Sequence, residues 1–244
     1  MTERAVLAVS FGTSHRDTLE KNIAAIEAEL AAAFPERTVR RAFTSGMILR
    51  KLAGEGTHID NVPQALERLL AEGCTDVVVQ PTHVINGIEN DRMKEDALSF
   101  RDSFHSISFG DPLLTTEDDS HKVIAAIARE FSHITKDQAL VFMGHGTTHF
   151  ANSIYAALDY TFKDKGYHNF FLGTVEAYPS MESLKKMVKA YRPKEVVLAP
   201  FMIVAGDHAK NDMAGDEVKT VLKGLGEYEG IRSLFIDHIR AIDR

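Results

Sequence analysis

The chain contains 244 residues, 44% of them hydrophobic, which is enough to bury one large core or two smaller ones, and we expect two. Its formal charge of −7 and pI near 5.9 argue against nucleic acid or an anionic membrane as a partner, because both attract clustered Lys and Arg. Cys74, the single cysteine, excludes an internal disulfide, and no long apolar segment follows residues 1–4 to act as a signal or membrane helix. These features predict a cytoplasmic protein.

The first half of the chain alternates predicted strands with predicted helices. Strands are expected at residues 5–10, 39–43, 76–79 and 106–109. The segments between them carry apolar residues at helical spacing, and one helix is predicted to begin after Asn61 and to end at Gly73. This alternation predicts a parallel α/β sheet.

The second half of the chain repeats the first. Residues 139–149 (ALVFMGHGTTH) match residues 5–15 (AVLAVSFGTSH), and residues 196–206 (VVLAPFMIVAG) match residues 77–87 (VVVQPTHVING). The repeat predicts an α/β protein of two pseudo-symmetric lobes, each a parallel β-sheet flanked by helices, which face each other across a cleft.

A polar segment at residues 111–120, DPLLTTEDDS, indicates where the first copy ends. We place the N-terminal lobe at 1–115, the C-terminal lobe with the metal site at 116–230, and a C-terminal helix at 231–244 that packs on one of the lobes. The second copy is shorter than the first between its third and fourth strands. Either its fourth strand pairs differently or residues are absent near Asp216 and Glu217, and we favour their absence.

Differences between the two copies separate scaffold from chemistry, because residues needed only for folding should recur in both. Three differences introduce potential metal ligands into the second copy, namely His145 for Phe11, Glu176 for Arg41 and His208 for Ile88. All three follow strands, and parallel strands of one sheet end at a common edge, where such sheets bind ligands. At one position the potential ligand is in the first copy instead, which has His83 where the second copy has Met202. We therefore expect the first lobe to add one imidazole to the cleft.

Two imidazoles and a carboxylate suit a borderline divalent ion such as Co(II), Ni(II), Fe(II) or Zn(II), and they offer too few hard oxygens for Ca(II). Each of the three alone is weak evidence, since a single histidine is usually a surface or core residue. The spacing of His145 and His149 matches that of the zinc motif HExxH, but the glycines that flank His145 disfavour a helix there and no glutamate follows it. We therefore assign His149 to the first turn of a helix.

Several motifs together resemble the anaerobic sirohydrochlorin cobaltochelatases of the CbiK type, members of the class II chelatases. They are SFGTS, AFTSGMI, HVING, VFMGHGTTH, VEAYPS and PFMIVAGDHAKNDMAGD, and they span nearly the whole chain. The resemblance implies two pseudo-symmetric lobes and ATP-independent insertion of Co(II) into sirohydrochlorin on the way to cobalamin. It places the metal-site histidines at His145 and His208, the acidic ligand at Glu176 and a further cleft histidine at His83. The family usually has a longer segment with a tryptophan after Asp216, and this chain has no tryptophan.

Metal insertion removes two pyrrole N–H protons while a divalent ion enters, so the site needs a metal carrier and a base on one side of the macrocycle. We expect His145 to be the principal base and Phe11, His83 and Met202 to line the substrate slot. Co(II) is expected as a bound substrate metal, without an organic cofactor. Four basic residues are candidates for binding the eight carboxylates of sirohydrochlorin, namely Arg50, Lys51, Arg92 and Lys210.

Other functions remain open at this point. One alternative is a chelatase for Ni(II) or Fe(II) with a related tetrapyrrole, and another is a two-lobed tetrapyrrole or metal-binding protein without catalysis. A hydrolase that uses His145 as its base is disfavoured, since no G-x-S-x-G motif supplies a serine. The expected partners are sirohydrochlorin and a divalent metal, with no nucleic acid and no membrane, and homo-oligomerisation is left open.

Overall fold

A computed structural model of the chain describes residues 4–205 and 218–242. The N-terminal sheet is parallel with strand order β2-β1-β3-β4. Its strands are β1 (Arg4–Ser10), β2 (Thr38–Phe43), β3 (Asp76–Pro81) and β4 (Ser106–Phe109). Its helical segments are α1 (Arg16–Thr18), a π-helical stretch (Leu19–Ala24), α2 (Ala25–Ala33), α3 (Gly46–Gly54), α4 (Val62–Ala71), α5 (Ile88–Leu98) and a 3-10 turn (Arg101–Ser103).

The C-terminal sheet is also parallel and has the equivalent strand order, β6-β5-β7-β8. Its strands are β5 (Gln138–Gly144), β6 (Phe170–Thr174), β7 (Glu195–Pro200) and β8 (Lys219–Thr220). The helices of this half are α6 (Glu117–Glu130), α7 (Ser153–Asp164), α8 (Met181–Tyr191) and α9 (Glu229–Ile242), with 3-10 turns at Phe150–Asn152 and Leu225–Glu227. Two sheets of matching order confirm the predicted fold class.

The strands form where the sequence is apolar on both faces of a sheet. Strand β5 is buried from Ala139 to Gly144, and β1 is buried from Ala5 onwards, because helices cover both faces of each central strand. The predicted N-cap at Asn61 is confirmed: its side chain accepts a hydrogen bond from the Gln64 backbone N–H in a full capping box.

The fourth strand of the second lobe pairs as its counterpart in the first lobe does. Strand β8 lies parallel to β7, with Val197 opposite Lys219 and Leu198 opposite Thr220. A different pairing therefore does not account for the shorter interval before β8. Residues 206–217, where we favoured an absence of residues, lie outside the described residues.

The C-terminal helix α9 contacts both lobes rather than one, which corrects the expectation of a single partner. It packs against α2 of the first lobe and against α6. Ile231, Leu234, Phe235 and Ile239 are all buried, and they join one apolar core that includes residues of β1 and β5. The reason is that four apolar positions on successive turns make a stripe wide enough to meet two helices. The two lobes are thus joined by a continuous core on the side of α9.

Candidate metal centre

The backbone around His145 is fixed by the glycines on either side. A Cβ atom at Gly144 would lie 2.8 Å from Cε1 of Tyr155, so no larger residue fits at the end of β5. Gly146 has a φ angle of +86°, which other residues rarely adopt, and a Cβ there would lie 2.9 Å from Cβ of Thr174. His145 is consequently held at the strand end while its side chain stays 49% exposed.

Glu176 meets His145 because β5 and β6 are neighbours in the sheet. Its backbone N–H donates a 2.9 Å hydrogen bond to the carbonyl oxygen of His145, which continues the strand pairing beyond β6. Oε2 of Glu176 lies 3.6 Å from Nδ1 of His145, and the Glu176 side chain is 56% exposed. A polar contact this exposed contributes at most about 1 kcal/mol, so it opposes rearrangement around a cation only weakly.

The ring of His145 has a defined orientation. Its Nδ1 lies 3.0 Å from the carbonyl oxygen of Gly146, which can only accept a hydrogen bond. Nδ1 therefore carries the proton in the neutral ring, and Nε2 presents its lone pair. Histidines that bind metals commonly donate their second ring N–H to a carbonyl in this way, which fixes the tautomer.

The third predicted ligand, His208, lies outside the described residues, as does Lys210. Within residues 4–205 and 218–242, no group of three or more His, Cys, Asp and Glu side chains is placed to hold a metal ion. The described structure thus brings two of the three predicted ligands together, His145 and Glu176, and the complete metal site stays a prediction.

His83 lies just after β3 and is buried, with 9% of its surface exposed. Neither ring nitrogen has a hydrogen-bond partner among the described residues, and the nearby side-chain oxygen of Asn90 is likewise buried and unpaired there. Burial lowers the pKa of His83 to about 4, and the side chain of Asn90 opposes this shift. His83 is therefore a neutral imidazole at pH 7, in a more enclosed environment than that of His145.

The remaining predicted residues occupy different environments. Phe11 is exposed at the end of β1, and its carbonyl oxygen accepts a hydrogen bond from the Ser45 N–H. Met202 is partly buried and packs near Met143 and Ala205. Neither placement tests a role in substrate binding, which stays a prediction for both.

Two features of the site could not be found from sequence patterns. The side chain of Asn152 accepts a hydrogen bond from the Thr147 N–H at 3.0 Å and donates one to the Tyr178 carbonyl oxygen at 2.6 Å. It thereby ties the loop of His145 to the loop of Glu176.

The second feature is the buried Tyr155. Burial raises the pKa of Tyr155 to about 12, while a hydrogen bond with the backbone of Gly146 acts in the opposite direction. Tyr155 packs against the His145 loop as a neutral phenol.

Exposed apolar side chains collect at the same edge of both sheets. They follow the carboxyl ends of strands in the first lobe (Phe11, Met47 and Ile88) and in the second lobe (Phe150, Val175 and Tyr178). Apolar side chains gathered around a few polar groups are typical of a surface that binds a broad, mostly apolar molecule.

Known proteins resemble this chain over nearly its whole length. The family model for cobalt chelatase (CbiK) matches residues 4–243. A sirohydrochlorin cobaltochelatase of Salmonella typhimurium is 39% identical over 252 residues, covering 97% of this chain and 95% of that protein. Sirohydrochlorin cobaltochelatase CbiKC of Nitratidesulfovibrio vulgaris is 32% identical over 258 residues, covering 99% of this chain and 91% of that protein.

The fold is shared with a more distant solved structure. The sirohydrochlorin chelatase SirB from Bacillus subtilis subspecies spizizenii, in complex with cobalt, superposes with a TM-score of 0.68 at 13% identity, covering 97% of this chain and 94% of that one. Within the residues that the structure describes, no helix is both long and apolar enough to cross a membrane. The family model and the two relatives confirm the family predicted from the motifs, and the chain belongs to the cobalt chelatase (CbiK) family.

Proposed function

We propose that this protein inserts Co(II) into sirohydrochlorin without ATP, giving cobalt-sirohydrochlorin for cobalamin biosynthesis. The observation that carries the proposal is the convergence of His145 and Glu176 at one sheet edge, beside a rim of exposed apolar side chains. Membership of the cobalt chelatase family and two relatives named as sirohydrochlorin cobaltochelatases support the choice of substrate and metal.

The metal ion is a substrate in this reaction, and its ligands must both hold and release it. We assign Glu176, His145 and His208 to this task, with Nε2 of His145 as the ligand atom because Nδ1 faces the Gly146 carbonyl. The ligand set is borderline rather than hard, which suits Co(II). The exposure of His145 and Glu176 leaves both accessible to a large substrate.

Charge balance requires two pyrrole protons to leave as one divalent ion enters. The lone pair on Nε2 of His145 can hold the metal or a proton, but not both at once. When the ion passes to the pyrrole nitrogens, Nε2 is vacated and accepts one of the two protons that leave the macrocycle, and the other proton passes to solvent water at this exposed site. His145 thus serves first as carrier and then as general base, which places the two processes on the same face of the tetrapyrrole.

The tetrapyrrole is assigned to the space between the lobes, with Phe11 and Met202 as apolar walls and His83 on the first-lobe side.

The carboxylates of the tetrapyrrole need cations at the rim. Arg92 is paired with Glu89, whereas the guanidinium of Arg50 folds back toward the start of α3, its Nη1 3.3 Å from where a Cβ of Gly46 would lie. We assign Arg50 to a substrate carboxylate because it is exposed on α3, three positions after the exposed Met47 of the first-lobe rim.

A multiple-turnover assay tests the proposal. Sirohydrochlorin is mixed with Co(II) and a small amount of protein, and the change in absorption spectrum is followed against a protein-free control. The expected result is many equivalents of cobalt-sirohydrochlorin per protein. A binding protein without catalysis would change the spectrum of at most about one equivalent, which would refute the enzyme. Parallel reactions with Ni(II) and Fe(II) decide the preferred metal.

A further inference from the structure

His149 lies four positions after His145 but contacts the other lobe. Its Nε2 is 3.3 Å from Oδ2 of Asp91, which stands in the first turn of α5. The His149 side chain is only 15% exposed, while that of Asp91 is 55% exposed. The loop that carries the candidate metal ligand is thus joined to the first lobe by a polar contact between side chains.

The orientation of the His149 ring is set on both sides. The backbone N–H of Ala151 donates a 3.2 Å hydrogen bond to Nδ1, so Nδ1 accepts and the ring proton lies on Nε2, facing Asp91. The Phe150 ring packs beside the imidazole, with centroids 4.1 Å apart. The neutral ring therefore carries its proton on the nitrogen that lies 3.3 Å from the Asp91 carboxylate, so the two side chains attract each other as a polar contact.

The loop held by this contact carries His145 and is bonded to the loop that carries Glu176. The Glu176 N–H is bonded to the His145 carbonyl, and Asn152 bonds the Tyr178 carbonyl, so hydrogen bonds tie the two loops together. On the other side, Asp91 follows Asn90, whose side chain lies next to His83. The contact consequently sets the distance between the first turn of α5 and the loops of His145 and Glu176.

The lobes are joined much more firmly on the opposite side. There α9 packs on α2 and α6 within a continuous apolar core, and Arg232 of α9 forms an ion pair with Glu29 of α2. Among the described residues, separation of the lobes at the cleft would break this polar contact and the packing of Val204 on a first-lobe apolar cluster, whereas separation at α9 would expose a larger set of fully buried core residues, which is more costly. The cleft is therefore the side that opens.

We propose that Asp91 and His149 form a latch across the cleft, which parts to admit the tetrapyrrole and then re-forms to position His145. This inference rests on the proposed function, because it concerns access of a broad, rigid substrate to the same site. Asp91 and His149 are positioning residues in this scheme, since they act through the loop that carries His145.

A reversible cross-link tests whether the latch must open. Asp91 and His149 are both replaced by cysteine in a Cys74→Ala background, and a short bis-methanethiosulfonate reagent joins them. The matched control places the cross-link at Glu29 and Arg232, on the side that stays closed. We expect cross-linking of positions 91 and 149 to lower cobalt insertion at least about tenfold, with recovery after reduction, and the control to keep its activity.

Unchanged turnover in the cross-linked 91/149 protein would overturn the latch. Failure of the proposed function gives a different result, because the protein before cross-linking would then not insert cobalt. Binding of Co(II) without tetrapyrrole is measured in the same samples. It should survive the cross-link, since a small ion needs no opening of the cleft, and its loss would mean that the cross-link distorts the site.

Substitutions test whether the latch positions the site. Asp91→Ala and His149→Ala should each raise KM for sirohydrochlorin about twofold to fivefold, the range of a single partly exposed polar contact, and the double variant should be no worse than either one. Asp91→Asn should restore KM toward wild type, because an amide oxygen can still face the protonated Nε2 of the neutral ring. Glu95→Ala, one turn along α5, is the control that should leave KM unchanged. Additive effects, or no effect of the single changes, would refute the pairing.

Discussion

Nδ1 of His145 lies 3.0 Å from the carbonyl oxygen of Gly146, and this contact decides which ring nitrogen faces the substrate. Because a carbonyl only accepts hydrogen bonds, the neutral ring keeps its proton on Nδ1 and its lone pair on Nε2. The glycine thus does more than turn the chain. Its backbone orients the imidazole that is assigned to carry the metal and then to accept a proton.

Replacement of Glu176 by glutamine should weaken Co(II) binding while the fold is kept. The amide is nearly the same size as the carboxylate but has no charge, so it is a poorer ligand for a divalent ion. We expect a loss of about tenfold or more in Co(II) affinity, measured by titration of the tetrapyrrole-free protein. Glu182→Gln on the exposed face of α8 is the matched control. Equal affinities in the two variants would remove Glu176 from the metal site.

Replacement of Gly146 by alanine should destabilise the protein more than the same change at Gly166. Both glycines have φ angles near +87°, at +86° and +88°, so both variants carry the cost of a left-handed backbone, about 1 to 2 kcal/mol. A Cβ at Gly146 meets Thr174 at 2.9 Å, whereas a Cβ at Gly166 has no neighbour within 4 Å. We expect about 1 to 3 kcal/mol of additional loss at Gly146, measured by denaturant unfolding. Equal losses would contradict the packing argument.

The burial of His83 should make stability depend on pH. Its pKa is about 4 in the folded protein and about 6.5 when unfolded, so the unfolded chain binds the proton more tightly. The resulting stabilisation is complete above pH 6.5 and is lost as the pH falls toward 4, by up to about 3 kcal/mol. Unfolding free energies of wild type and His83→Leu at pH 7 and pH 4.5 measure this difference. A wild-type protein whose pH dependence matches that of the variant would show that His83 titrates normally.

Replacement of Arg50 by glutamine should raise KM for sirohydrochlorin without changing kcat. A carboxylate held by one guanidinium contributes roughly 1.4 kcal/mol at an exposed position, which corresponds to about tenfold in KM. The effect should shrink at high salt, because exposed charges are screened. Arg101→Gln, at an exposed position before the amino end of β4 and so at the opposite edge of the sheet, is the control and should change neither constant. If both variants behave alike, Arg50 has no specific role.

The internal repeat allowed most of the fold to be predicted. Matching segments such as 5–15 and 139–149 fold into equivalent strands, and their order in the two sheets is the same. The meeting of His145 and Glu176 was also predictable, since the ends of neighbouring parallel strands share one edge of a sheet.

Other features depend on contacts that a sequence pattern does not encode. To predict that α9 packs on both lobes, one would need to know how the two lobes are placed relative to each other. The same holds for the contact of His149 with Asp91, which joins residues far apart in the chain. The enclosure of His83 depends on how the first turn of α5 covers the end of β3, which periodicity does not reveal.

His145 is assigned both to carry the metal and to accept a pyrrole proton, and the turnover of His145→Ala tests this assignment most directly. Cobalt insertion is followed at saturating Co(II) and saturating sirohydrochlorin, so that weakened binding of either substrate does not contribute. We predict a kcat about 10²-fold to 10⁴-fold below that of wild type, the usual range for loss of a positioned general base, with tetrapyrrole binding preserved. A kcat near that of wild type under these conditions would contradict the role assigned to His145.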